Sequence, residues 1–127
     1  MSASETDFIF FNSRDELLRI DLLSIAYFEA EGNYTRLLSV NGLKDMVCIN
    51  LGRMEELLAL RCKDTHVKFA RIGKRYLLNL NYLYRINTLK QELVLSDQKS
   101  FVHTISISKV ALKNLKELIS PRNKNIE

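Results

Sequence analysis

Hydrophobic and polar positions in this chain alternate with a period of two more often than with a period near 3.6, which predicts strands before helices. Phe8-Ile-Phe-Phe11 opens a strand, Asn12–Glu16 turns it, and Leu17-Leu-Arg-Ile20 continues it. Ile25-Ala-Tyr-Phe-Glu-Ala30 is a second run, rich in β-branched and aromatic residues, broken by Glu31-Gly32-Asn33. Tyr34–Val40 then meets Leu43–Ile49 across Asn41-Gly42, a dipeptide suited to the two positive-φ positions of a type I′ hairpin turn. Further strands are expected from His66 to Ile72, with Val67, Phe69 and Arg71 on one side, and over Tyr76–Leu80 after the basic turn Gly73-Lys74-Arg75. Glu92–Leu95 pairs with Phe101–Ile107 across the five-residue loop Ser96–Ser100. Helical spacing occurs twice. Asn50 caps a helix running through about residue 60, with Leu51, Met54 and Leu58 on one face, joined by Leu57, and Gly52 weakening it. A second helix begins after Ser108, with Leu112, Leu115 and Ile119 inside and Lys113 and Lys116 outside, and Pro121 ends it.

The pattern predicts one mainly β domain with two short helices over residues 8–120. A flexible start, 1–7, and a loose tail, 121–127, flank it. Composition agrees: 127 residues support one core, and 46% hydrophobic with 27% charged residues is globular, which excludes disordered and low-complexity architectures. The glycines at 32, 42, 52 and 73 have unrelated flanks, so there is no internal repeat.

Charge adds an asymmetry that the average conceals. The formal net is +4, yet residues 1–60 carry five basic and ten acidic groups, and residues 61–127 carry fourteen and five. A basic half points to a polyanionic partner, nucleic acid first and an acidic membrane surface second. The N-terminus, Met-Ser-Ala-Ser-Glu-Thr-Asp, is acidic and polar, unlike a secretory signal, and no apolar run could cross a bilayer. Two cysteines, Cys48 and Cys62, do not make a disulfide framework, and the neighbours Val47 and Ile49 suggest a buried thiol. A cytoplasmic protein is the expectation.

Catalytic chemistry finds no support. His66 and His103 are the only histidines, and neither stands at metal-ligand spacing with another Cys, His or carboxylate. There is no GxSxG elbow, P-loop or GxGxxG. His103 alternates with Phe101 and Ile105 and reads as a hydrogen-bonded strand residue. Glu29 and Glu31 share a strand face, as a solvated edge or, for Glu29, a turn-supporting acceptor. No metal, cofactor or small-molecule substrate is expected. Three loops remain: Gly32-Asn-Tyr-Thr-Arg36, Gly73-Lys-Arg75, and Ser106-Ile-Ser-Lys109 at a helix N-terminus. Arg and Lys neutralise phosphate, backbone N–H groups and a helix start accept anions, and Asn, Thr and Arg can read base edges.

The segment Ile25-Ala-Tyr-Phe-Glu-Ala-Glu-Gly-Asn-Tyr-Thr-Arg-Leu37 resembles the signature strand and turn of the LytTR (LytR/AlgR-type) DNA-binding domain. Phe69-Ala-Arg-Ile-Gly-Lys-Arg-Tyr-Leu-Leu-Asn79 and Ile105-Ser-Ile-Ser-Lys109 resemble two further blocks of that family, in the same order and spacing. The resemblance runs from about residue 8 to 119. It implies small antiparallel sheets stacked along one axis with two short helices, and loops that enter successive major grooves of direct-repeat DNA sites. The implied contacts are Asn33, Tyr34, Thr35 and Arg36, then Lys74 and Arg75, then Ser108 and Lys109, with double-stranded DNA as partner and a second copy on the repeat. Asn79 is implied to be structural, and Tyr27, Phe28, Phe69, Ile72 and Leu77 to be core or near-core. The chain departs from the family where Gly73 replaces a common histidine, Arg75 a serine, and Lys109 an arginine. A lysine is a point charge rather than a planar fork and favours phosphate over guanine. The common N-terminal receiver is not expected here, which gives a stand-alone regulator. The alternative from another class is a module that pairs with or sequesters another regulator, marked by exposed apolar residues on a helix face. Single-stranded RNA binding would need aromatics such as Tyr34, Tyr76, Tyr82 and Tyr84 on an open sheet.

Overall fold

The structure is a computed structural model that describes residues 8–120, so the expected flexible start and tail lie outside the described residues. Ten strands and two helices are formed among the described residues. They are β1 (Phe8–Asn12), β2 (Leu17–Asp21), β3 (Ile25–Glu31), β4 (Tyr34–Ser39), β5 (Lys44–Val47), α1 (Leu51–Arg61), β6 (Phe69–Ile72), β7 (Tyr76–Asn79), β8 (Leu83–Asn87), β9 (Glu92–Ser96), β10 (Val102–Ser106) and α2 (Lys109–Ile119). The strands pair antiparallel in three sheets, β1-β2, β5-β4-β3-β7-β6 and β10-β9-β8. The mainly β class with small antiparallel sheets and two short helices is the one expected. The chain divides into two compact units between Tyr82 and Leu83. The first holds the two- and five-stranded sheets with α1; the second holds the three-stranded sheet with α2. No helix among the described residues is long and apolar enough to cross a membrane.

In the first unit, register explains the core. Phe28 on β3 lies opposite Leu37 of β4 and Leu77 of β7, so three large side chains meet on one sheet face. Leu51, Met54 and Leu58 of α1 pack there, with Ile9, Ile20 and Leu22 from the β1–β2 region. Phe69 tilts against Phe28 with ring centroids 5.5 Å apart. The helix forms despite Gly52. Its three anchors are almost fully buried, at about 1.5–3 kcal/mol each, against about 1 kcal/mol for a helical glycine. Asn50 caps it, accepting from the Arg53 amide at 2.8 Å. Asn79 is fully buried and structural: its Nδ2 donates to the Ile25 carbonyl at 2.9 Å and its Oδ1 accepts from the Asn81 amide at 2.9 Å. In the second unit the buried side chains include Leu93, Leu95, Ile105, Ile107, Leu112 and Leu115.

Four local expectations change. The β4–β5 hairpin exists, but its turn is not type I′, because Gly42 has φ +93 while Asn41 does not take a positive φ. Gly42 N–H donates to the Ser39 carbonyl at 3.0 Å and Ser39 N–H to Leu43 at 2.8 Å, closing a three-residue loop with glycine in its last place. Asn41 Oδ1 accepts from the Leu43 amide at 3.3 Å instead. The strand expected from His66 begins at Phe69, because the Thr65 hydroxyl turns the chain: it accepts from the Val67 amide at 3.1 Å and donates to the Cys62 carbonyl at 3.1 Å. The strand expected over Tyr76–Leu80 ends at Asn79, and the chain turns through Leu80–Tyr82 and continues as a further strand, β8. Cys48 is exposed and Cys62 half-buried, both as free thiols; Cys48 follows the last residue of β5, where alternation turns it away from the neighbouring buried Val47.

Candidate nucleic-acid interface

Because β3 is flanked by β4 on one side and β7 on the other, the β3–β4 and β6–β7 turns lie at the same end of the five-stranded sheet. The first turn has two residues, with Glu31 opposite Tyr34 and Gly32 at φ +61, where a side chain would be strained. The turns are joined directly, since Ala30 N–H donates to the Arg75 carbonyl at 2.8 Å. Arg71 braces the second one: Nη2 donates to the Lys74 carbonyl at 3.1 Å while Nη1 pairs with Glu55 of α1 at 2.8 Å.

Strand alternation sorts the side chains at this end. Asn33 stands exposed at the turn, and Tyr34 is 46% exposed. Thr35 points the other way, fully buried, with its hydroxyl donating to the Ile49 carbonyl at 2.8 Å. It ties β4 to the segment after β5 and presents no side chain to a partner. Arg36 returns to the outer face and forms an ion pair with Glu31. Arg75 donates to Glu29 at 2.5 Å and lies 5.6 Å from the centre of the Tyr76 ring. Lys74 is exposed, and its ammonium has no ion-pair partner among the described residues. Tyr27 and Tyr76 meet edge-on at 5.9 Å, and burial, reinforced by the Glu29 charge, raises both phenols above their ordinary pKa. They remain neutral walls of the site.

The third candidate belongs to the second unit. Ser108 caps α2, its Oγ accepting from the Ala111 amide at 3.3 Å, and Lys109 is exposed on the first turn. The β8–β9 turn lies at the same end of the three-stranded sheet, with Ile107 N–H donating to the Gln91 carbonyl at 3.1 Å. A shallow cavity of about 370 Å³ there is lined by Lys90, Gln91, Ser106, Ile107 and Ser108. Arg36, Lys74 and Arg75 are thus brought to one sheet end, and Lys109 stands with Lys90 in the other unit. Lys90 escaped the sequence reading because β8 did; the pairing of Glu92 with Ser106 is the signal that places it.

Among the described residues no group of three or more His, Cys, Asp or Glu could hold a metal ion. His103 stacks on Phe101 with ring centroids 6.3 Å apart. Among curated proteins none matches the chain. A solved LytTr DNA-binding domain from Bacillus cereus matches with a TM-score of 0.65 at 18% identity, covering 91% of this chain and 98% of that one. At that identity the likeness is one of fold. The sequence model of the LytTr DNA-binding domain matches residues 15–120, which takes in the β3–β4 and β6–β7 turns and the β10–α2 junction alike. The chain belongs to the LytTr DNA-binding domain family.

Proposed function

We propose that the chain acts as a transcriptional regulator that binds double-stranded DNA in a sequence-dependent way, with two turns of the first unit and the β10–α2 junction of the second as its contacts. The observation that carries this reading is the hydrogen-bonded placement of the β3–β4 and β6–β7 turns at one sheet end, with Asn33, Tyr34, Arg36, Lys74 and Arg75 outward. Asn33 and Arg36 have the donors and acceptors to read base edges in the major groove. Lys74 is suited to phosphate, as are Lys109 and the α2 N-terminus, where Ser108 is already committed to its cap. Thr35 holds the first loop in place from behind. Direct-repeat sites would be filled by one copy on each repeat. The family is one of DNA-binding domains rather than enzymes.

Fluorescence anisotropy with random duplex at low and moderate salt tests the reading. Binding should weaken steeply with salt, because displaced counterions drive it. Lys74→Ala should weaken random and selected duplexes about equally and lower the salt slope by roughly one. Arg36→Ala should instead reduce discrimination between them. Undetectable binding at low salt would overturn the proposal. In its favour over stacking on single strands, Tyr76 is packed against Tyr27 and the Tyr82 hydroxyl donates to the Leu23 carbonyl. A regulator-pairing role draws on Val110 and Leu118, both exposed on α2. With Ile119, which is also exposed, they make a small apolar exposure on one helix, and such exposure is ordinary on a monomer.

A further inference from the structure

The sheet end that carries the two turns is nearly neutral. Arg36, Lys74 and Arg75 stand there with Glu29 and Glu31, and both arginines are held in ion pairs. Lys74 alone of these three carries an uncompensated charge among the described residues. For a surface meeting a polyanion this is an unexpected economy, since any phosphate would be attracted by free guanidinium groups whatever the base sequence.

The two glutamates sit where register dictates. Glu29 and Glu31 share the outer face of β3 with Arg36, which lies directly opposite Glu29 and diagonal to Glu31. Glu29 is taken from its other flank by Arg75, so Arg36 pairs diagonally with Glu31. The Glu29 side chain is only 18% exposed, whereas that of Arg75 is 65% exposed. If Arg75 swung out to a phosphate it would leave behind a largely buried carboxylate, and Arg36 alone would have to serve two negative charges. The guanidinium therefore stays docked, with the Tyr76 ring beside it. One nitrogen is given to Glu29, and the bond and the neighbouring ring together restrict how the remaining N–H donors can turn. A fork so restricted suits two acceptors at a set spacing, as on the guanine edge, better than a mobile phosphate.

We propose that Glu29 and Glu31 are specificity-determining residues: by pairing Arg75 and Arg36 they suppress sequence-independent attraction to phosphate and hold the guanidinium groups for base contacts. The proposal rests on the duplex-DNA reading above. Neither glutamate need touch DNA; both act through their arginines as positioning residues.

The test uses Glu31→Gln and Glu29→Gln, which keep shape and remove charge, in the full chain. Wild type first selects a preferred duplex from a randomised pool, and all proteins are titrated with that duplex and with random duplex from about 50 to 200 mM salt. Each freed arginine should take up about one more phosphate. That steepens the random-duplex salt slope by about 0.9 and enlarges the affinity lost over this range about 3-fold. The selected-to-random ratio should fall at the same time. A purely structural role would lower both affinities and leave the slope unchanged. Wild type binding with slopes and ratio unaltered in Glu31→Gln overturns this inference alone; wild type failing to bind duplex overturns the DNA reading and this inference together. Thermal melts report whether each variant is folded, and the exposed Glu31 keeps the test decisive if Glu29→Gln unfolds.

Discussion

Thr35 and Arg36 are adjacent in the chain and opposite in facing, which is the period of a strand at work rather than the property of a loop. The sequence motif groups Asn33 to Arg36 as one contact segment, yet β4 has already begun at Tyr34, so every second side chain turns inward. Thr35→Val keeps the shape and removes the donor to the Ile49 carbonyl. It should lower stability by about 1–3 kcal/mol in denaturant unfolding while leaving the DNA affinity of the folded protein unchanged. A weakened affinity with unchanged stability would instead make Thr35 a DNA contact. Asn79 was legible as structural through its family position, though nothing in the sequence names its partners, because Ile25 lies 54 residues away. Cys48 was misread for a related reason: apolar neighbours in a strand face the opposite side from the residue between them.

At the scale of elements, strong periodicity was read well and broken periodicity was not. α1, α2 and the β9–β10 hairpin fall within a residue or two of expectation, since buried side chains repeat along each. The strand β8 was missed because the Leu80–Tyr82 turn precedes it and resets the phase of alternation. The β9–β10 connection shows how a polar loop is fixed by hydrogen bonds to its own backbone. Asp97 Oδ1 accepts from the Phe101 and Lys99 amides, both at 2.9 Å, and these bonds to the ionised form hold its carboxyl below the usual carboxylate range. A depressed folded pKa gives stability that is present above the unfolded carboxylate pKa and lost as pH falls through the folded one. Hydrogen exchange at the Lys99 and Phe101 amides, referred to an amide elsewhere in the unit, should therefore show reduced protection only in that acidic window. In Asp97→Asn that local change should vanish. Loss of protection starting well above the ordinary carboxylate range would rule Asp97 out as its cause.

The charge of the whole chain looks different once the boundary is structural. Residues 83–127 carry eight basic and four acidic groups, and residues 1–82 carry eleven of each, so the formal +4 belongs to the second unit. A division at residue 60 puts Arg75 and Lys74 in a basic half, although Glu29 and Glu31 leave the sheet end they occupy nearly neutral. On the proposed reading, specific attraction would rest on the paired arginines of the first unit, and general attraction on Lys74 and the unbalanced lysines of the second. On α2, Lys109, Lys113 and Lys116 recur at helical spacing and are exposed, beside the inward Leu112 and Leu115. Such a stripe is an electrostatic footprint for a polyanion. Lys113→Ala with Lys116→Ala removes two of its charges without touching the buried face. Random-duplex affinity should fall, and the salt slope should drop by roughly two if both lysines neutralise phosphate. Preferred and random duplexes should weaken together, leaving their ratio intact, whereas Glu31→Gln should change that ratio. An unchanged slope in the double variant would confine phosphate binding to Lys74, Lys109 and their neighbours, and would reduce the stripe to a solvated helix face.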